Sequence, residues 1–153
     1  MVHILDTRQL GRPGIIAATA LETTDGLALF DTGPESTFEK ISAALGQLGH
    51  KPADIRHVFL SHIHFDHAGA AWRFAELGAT IHVHPRGAPH LADPRKLVES
   101  ATRIFGDDME RLWGRTEAVA RDRLRGVRVW PLFLFGHFVV GATADAGPPT
   151  QPT

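Results

Sequence analysis

The segment Ser61-His62-Ile63-His64-Phe65-Asp66-His67 constrains this chain more than any other. It follows an apolar run, Ile55 to Leu60, that reads as a buried strand. It then sets three imidazoles and a carboxylate within a few positions of one another. If the chain stays extended after the strand, His62, His64 and Asp66 point to one side. The start of the next helix supplies the turn that brings His67 alongside Asp66. With 10 histidines among 153 residues, and as many aspartates, a shuffled chain carries this pattern in roughly 3 of 1000 cases. The fold therefore has to present this loop at the carboxyl end of a strand, where its side chains can converge.

The chain has no cysteine, which excludes a disulfide scaffold, a thiolate zinc site and a cysteine nucleophile. A metal must then be held by imidazole and carboxylate, a donor set that suits Zn²⁺, with Fe or Mn as alternatives. A metal so held lowers the pKa of bound water to about 7 and yields hydroxide at neutral pH, able to attack an ester-like carbonyl or a phosphoryl centre. The remaining histidines in this region, His57, His82, His84 and His90, read differently. His82 and His84 alternate on a strand with no carboxylate beside them and read as a hydrogen-bonded strand face, His84 bordering the pocket. His57 reads as strand surface and His90 as loop.

Around the motif the periodicities give a coarse map. Ile15–Leu21 and Leu27–Phe30 read as strands of a hairpin turned at Thr24-Asp25-Gly26. Ser36 with Glu39 forms a capping box for a helix that buries Phe38, Ile41, Leu45 and Leu48 and stops at Gly49. His67–Leu77 reads as a helix with Trp72, Phe74 and Leu77 in the core, and Ala79–His84 as a strand. Strand, motif, helix, strand is a βαβ unit, so Val58 and Ile81 belong to parallel strands of one sheet. Pro94–Phe105 reads as a helix capped by Asp93, with further helices over Asp107–Trp113 and Thr116–Leu124. Trp113 and Phe105 are assigned to core packing in preference to a substrate pocket. Asp31 is balanced between a turn residue and a support for the site.

With Leu29-Phe30-Asp31-Thr32-Gly33 upstream, His62-Ile-His64-Phe-Asp66-His67-Ala-Gly69 resembles the metal motif of the metallo-β-lactamase superfamily. The resemblance covers about residues 2–110. It implies an α+β fold, the αββα sandwich, here incomplete and reduced to the first sheet and its helices. It implies a two-metal site with His62 and His64 on one ion and Asp66 and His67 on the other, two Zn²⁺ in the complete family site. It gives Asp66 a catalytic part in orienting the nucleophilic water. The activity implied is metal-dependent hydrolysis of a small-molecule ester, thioester, lactone or phosphodiester-type bond.

The same resemblance calls for later ligands: a Gly-His motif, a bridging aspartate and a last histidine. Beyond residue 90 the chain offers only Gly136-His137 and Asp145. Arginine crowds positions 111–128, and the end, GATADAGPPTQPT, reads as disordered. The expectation is thus a domain over residues 1–110 that is the N-terminal half of the family fold, and a divergent segment over 111–153. The expected cause of that change is truncation or a frameshift, and the alternative function is a non-catalytic fragment with partial or no metal binding. A net charge of -1 without runs of one sign gives no expectation of nucleic acid. Asp6 and Arg8 break the N-terminal apolar run, so no secretory signal is read and a cytoplasmic protein is expected. The apolar stretch Trp130–Ala142, interrupted by Gly136, reads as a strand or hairpin and not as a membrane span. A homodimer supplying the missing ligands stays open.

Overall fold

The computed structural model describes residues 1–127, 129–134 and 137–142, the last two stretches by backbone alone. One mixed sheet of six strands has the order β1 (Val2–Asp6), β2 (Ala17–Thr23), β3 (Gly26–Phe30), β4 (Ile55–Phe59), β5 (Thr80–Val83), β6 (Leu124–Gly126). The first three strands are antiparallel neighbours, and β3 to β6 run parallel. Val58 pairs with Ile81, as the βαβ reading expects. The parallel strands all end at one edge, and the segments that follow them carry the polar side chains of the site.

Helices α1 (Phe38–Gln47) and α3 (Ala71–Glu76) cover one sheet face, with the short α2 (Phe65–Ala68) between β4 and α3. Leu29, Ile41, Leu45, Ile55, Val58, Phe74 and Ile81 are buried there as one core. The opposite face carries a row of half-buried rings. Phe30 stacks on Phe59 at 5.2 Å, Phe59 on His82 at 4.5 Å, and His57 Nδ1 lies 3.1 Å from His82 Nε2. Ile4 on the same side is 78% exposed. Further along the chain come α4 (Ala88–Ala92), α5 (Arg95–Phe105) and α6 (Met109–Trp113). The backbone of β7 (Val129–Leu134) and β8 (His137–Ala142) forms a separate antiparallel hairpin, matching the strand or hairpin expected there.

The structure departs from the sequence reading in several places. The helix read over His67–Leu77 is split into α2 and α3, and α5 begins only after Pro94. Val2–Asp6 is an edge strand that the sequence reading leaves unassigned. Ser36 caps no helix: it lies in a 3-10 turn, Glu35–Thr37, and its hydroxyl donates to the Leu112 carbonyl at 2.8 Å. Leu48 is 37% exposed because α1 ends at Gln47 and the chain reverses at Gly49 (φ 81°). Leu77 is 45% exposed, since it follows the last residue of α3 and leaves the buried face. Thr116–Leu124 forms no α-helix. It holds a 3-10 turn at Arg121–Arg123, and the Val119 N–H donates to the Leu91 carbonyl at 2.9 Å. That bond and the burial of Val119 tie the segment to α4 and lead it into β6.

Candidate metal centre

The motif loop is held from behind by the end of β3. Thr32 N–H and Oγ1–H both donate to the His67 carbonyl, at 2.7 and 3.0 Å, and the Ala70 N–H donates to the Gly33 carbonyl at 3.1 Å. Gly69 makes that approach feasible. A Cβ there would lie 2.4 Å from the Phe65 carbonyl oxygen and 2.9 Å from Pro34 Cα. The residue types at 32, 33 and 69 thus set where the start of α2 sits.

On this support His62, Asp66 and His67 bring one ligand atom each within 4.8 Å of one another. The His62 and His67 rings have centroids 4.0 Å apart. His67 Nε2 is 3.1 Å from Asp66 Oδ2. His64 stands outside this trio, its ring 4.8 Å from that of His62 and edge-on to it. It is exposed, because it precedes α2 in extended conformation while Asp66 and His67 lie on the first helical turn.

Asp31 is the residue whose part the sequence left balanced. It adopts a left-handed φ of 53° and receives three hydrogen bonds from the motif. The Ser61 N–H donates to Oδ1 at 2.8 Å, while the Ser61 hydroxyl and the His67 Nδ1–H both donate to Oδ2 at 2.8 Å. A His67 ring protonated at Nδ1 turns a lone pair on Nε2 toward Asp66, the orientation that an outer carboxylate gives a ligating histidine. His62 Nδ1 lies 3.0 Å from Ser61 Oγ, so the same hydroxyl links both rings to Asp31. Burial, then the neighbouring His67 and His64, hold His62 below its usual pKa and favour the neutral imidazole that a metal requires.

The donor set therefore fits a divalent ion. Two imidazoles and a carboxylate suit Zn²⁺, Fe or Mn. Two atoms ligating one ion lie at most about 4.2 Å apart at ordinary bond lengths, so the 4.8 Å spread closes with small side-chain shifts. His84, which the sequence set at the pocket border, is exposed, and its Nδ1 accepts the Arg86 N–H at 3.2 Å. His90 is exposed on α4. The side chain of His137 and all of Asp145 lie outside the described residues.

Beside His64 and Asp66 opens a groove of about 370 Å³, lined further by Phe65, Leu97, Ala101, Ile104, Phe105 and Trp113. Phe105 and Trp113 therefore wall a pocket, where the sequence favoured core. Residues far along the chain fix that wall. Glu35, 8% exposed, accepts the Arg115 N–H at 2.9 Å and both Nε–H (2.9 Å) and Nη2–H (2.6 Å) of Arg73. Gln9 Nε2–H donates to the Leu112 carbonyl at 2.7 Å. No spacing rule links positions so distant in sequence, so this wall was not legible before the structure.

Comparison with known proteins agrees with this fold. The family model described as metallo-beta-lactamase superfamily matches residues 11–153. None of the curated proteins compared with the chain matches it. Among solved structures, the Rm3 metallo-beta-lactamase is 20% identical, with 86% of this chain and 45% of that one covered at a TM-score of 0.60. The metallo-beta-lactamase SMB-1 bound to 2-mercaptoethanesulfonate is 21% identical, with 83% and 44% covered at 0.59. Native FEZ-1 from Legionella gormanii is 20% identical, with 77% and 41% covered at 0.57. The chain thus spans less than half the length of these structures, and at such identities the likeness is one of fold. With the family model matched over nearly its whole length, the chain belongs to the metallo-beta-lactamase superfamily.

Proposed function

We propose that His62, Asp66 and His67 hold a divalent ion, Zn²⁺ in first place and Fe or Mn as alternatives, with His64 beside them. We propose further that the site serves hydrolysis of an ester, thioester, lactone or phosphodiester-type bond in a small molecule. The observation that carries the reading is His67 set between two carboxylates, Nδ1 on Asp31 at 2.8 Å and Nε2 at 3.1 Å from Asp66. An ion bound there supplies Lewis acidity and a water whose pKa falls to about 7. His62 and His67 would each offer it a ring nitrogen. Asp31 keeps the His67 ring from rotating, and the Asp66 carboxylate accepts a proton from water at its free oxygen.

Hydrolysis of a p-nitrophenyl ester, followed before and after chelation, tests the proposal. Chelator should abolish turnover and Zn²⁺ restore it, and Asp66→Asn should lower kcat by about 10²–10⁴-fold. Turnover indifferent to chelator would overturn it. A second reading, a chain that binds one ion without turnover, is favoured by the size of the donor group, three side chains among the described residues. One equivalent of metal at most, with no hydrolysis, would establish that reading; two equivalents with hydrolysis would reject it.

A further inference from the structure

Along α5, Leu97, Ala101, Ile104 and Phe105 recur at i, i+4, i+7 and i+8, the apolar stripe of an amphipathic helix. Such a stripe ordinarily packs against the fold. Here all four residues line the groove beside Asp66, facing Phe65 and Trp113. Ile104 remains 77% exposed. The lining contains no cation. The groove is thus mostly apolar, with His64 and Asp66 of the metal loop and Ser100 of α5 as its polar members. Its size lies within the range of small-molecule pockets. The Glu35 and Gln9 bonds fix residues 112–115, and the Trp113 ring closes one end of the wall against Phe105, edge-on at 5.3 Å.

We propose that this groove binds the aliphatic chain of an acyl substrate, an ester or thioester, along α5 and Trp113 with the carbonyl end at Asp66. The fate of the carbonyl rests on the hydrolase reading above; the binding of the chain does not. A sugar or phosphodiester along the same wall would lose more hydrogen bonds to water than Ser100, His64 and Asp66 could replace. An aliphatic chain loses nothing there and covers Leu97 and Ile104.

The test uses the full chain in chelator and two uncharged probes, octanamide and butyramide, read by the indole N–H resonance of Trp113, assigned with Trp113→Phe. Each fully buried methylene strengthens binding about fourfold, so partial burial of the longer chain should give octanamide an advantage of about tenfold or more. Ile104→Glu and Ser100→Glu, both at exposed positions, should each reduce that advantage to about twofold. Equal binding of the two amides, or an advantage unchanged in both variants, would overturn the proposal. His67→Ala, which removes a proposed metal ligand, should keep the octanamide preference. Preference with no metal-dependent hydrolysis rejects the hydrolase reading and supports the groove. Metal-dependent hydrolysis with no preference does the reverse.

Discussion

Asp31 holds a backbone conformation that costs a non-glycine residue about 1–2 kcal/mol, at φ 53°. The compensation is visible in its three hydrogen bonds from Ser61 and His67. If that carboxylate orients the His67 ring, Asp31→Ala should weaken metal binding about 10–100-fold, measured by competition with a chromophoric chelator. Unchanged affinity would make Asp31 a turn residue only. The motif residues themselves were legible because their spacing is rare, whereas the strain at Asp31 was not, since no sequence pattern reports the sign of φ. At His82 the titration has a definite sign. Burial lowers its pKa from 6.5, and His57 on β4 and Arg125 on β6 lower it further. The unfolded chain then binds more protons than the folded one, so stability should decline as pH falls below the unfolded value. In His82→Gln, urea midpoints between about pH 7 and 5 should fall less steeply than in the parent. An identical slope would contradict this.

Elements were legible where one face of several residues is buried. The β2–β3 hairpin, α1, β4 and β5 each show such a run, so their positions followed from sequence. The edge strand β1 buries Leu5 alone among its five residues and offers no period to read. The strand β6 is three residues long with only Leu124 half-buried, too short to show a period, and the helix read over Thr116–Leu124 ran into its first residue. The split between α2 and α3 arises from the Thr32 and Gly33 contacts to His67 and Ala70, which a continuous helix from His67 would not allow. Gly69→Ala tests how tightly this junction is built. Its methyl would meet backbone atoms at 2.4 and 2.9 Å, so thermal unfolding should report a loss of about 1–3 kcal/mol. A neutral result would mean that the junction relaxes freely.

At the scale of the molecule, one sheet backed by helices places its parallel strand ends at a single edge, and Asp31, His62, Asp66 and His67 gather there. The α+β architecture and the family were legible from two motifs and the order of elements. The groove was not, because its walls come from α2, α5 and α6, and the clamp on it joins Gln9, Glu35 and Arg115. No helix among the described residues is long and apolar enough to cross a membrane. The central claim is that the loop at the end of β4 grips an ion. Equilibrium dialysis of the chain against Zn²⁺, beside His67→Ala, measures it directly. The expected result is at least one tightly held equivalent in the parent and its loss in the variant. A parent that retains no ion, or a variant that retains as much, would contradict it.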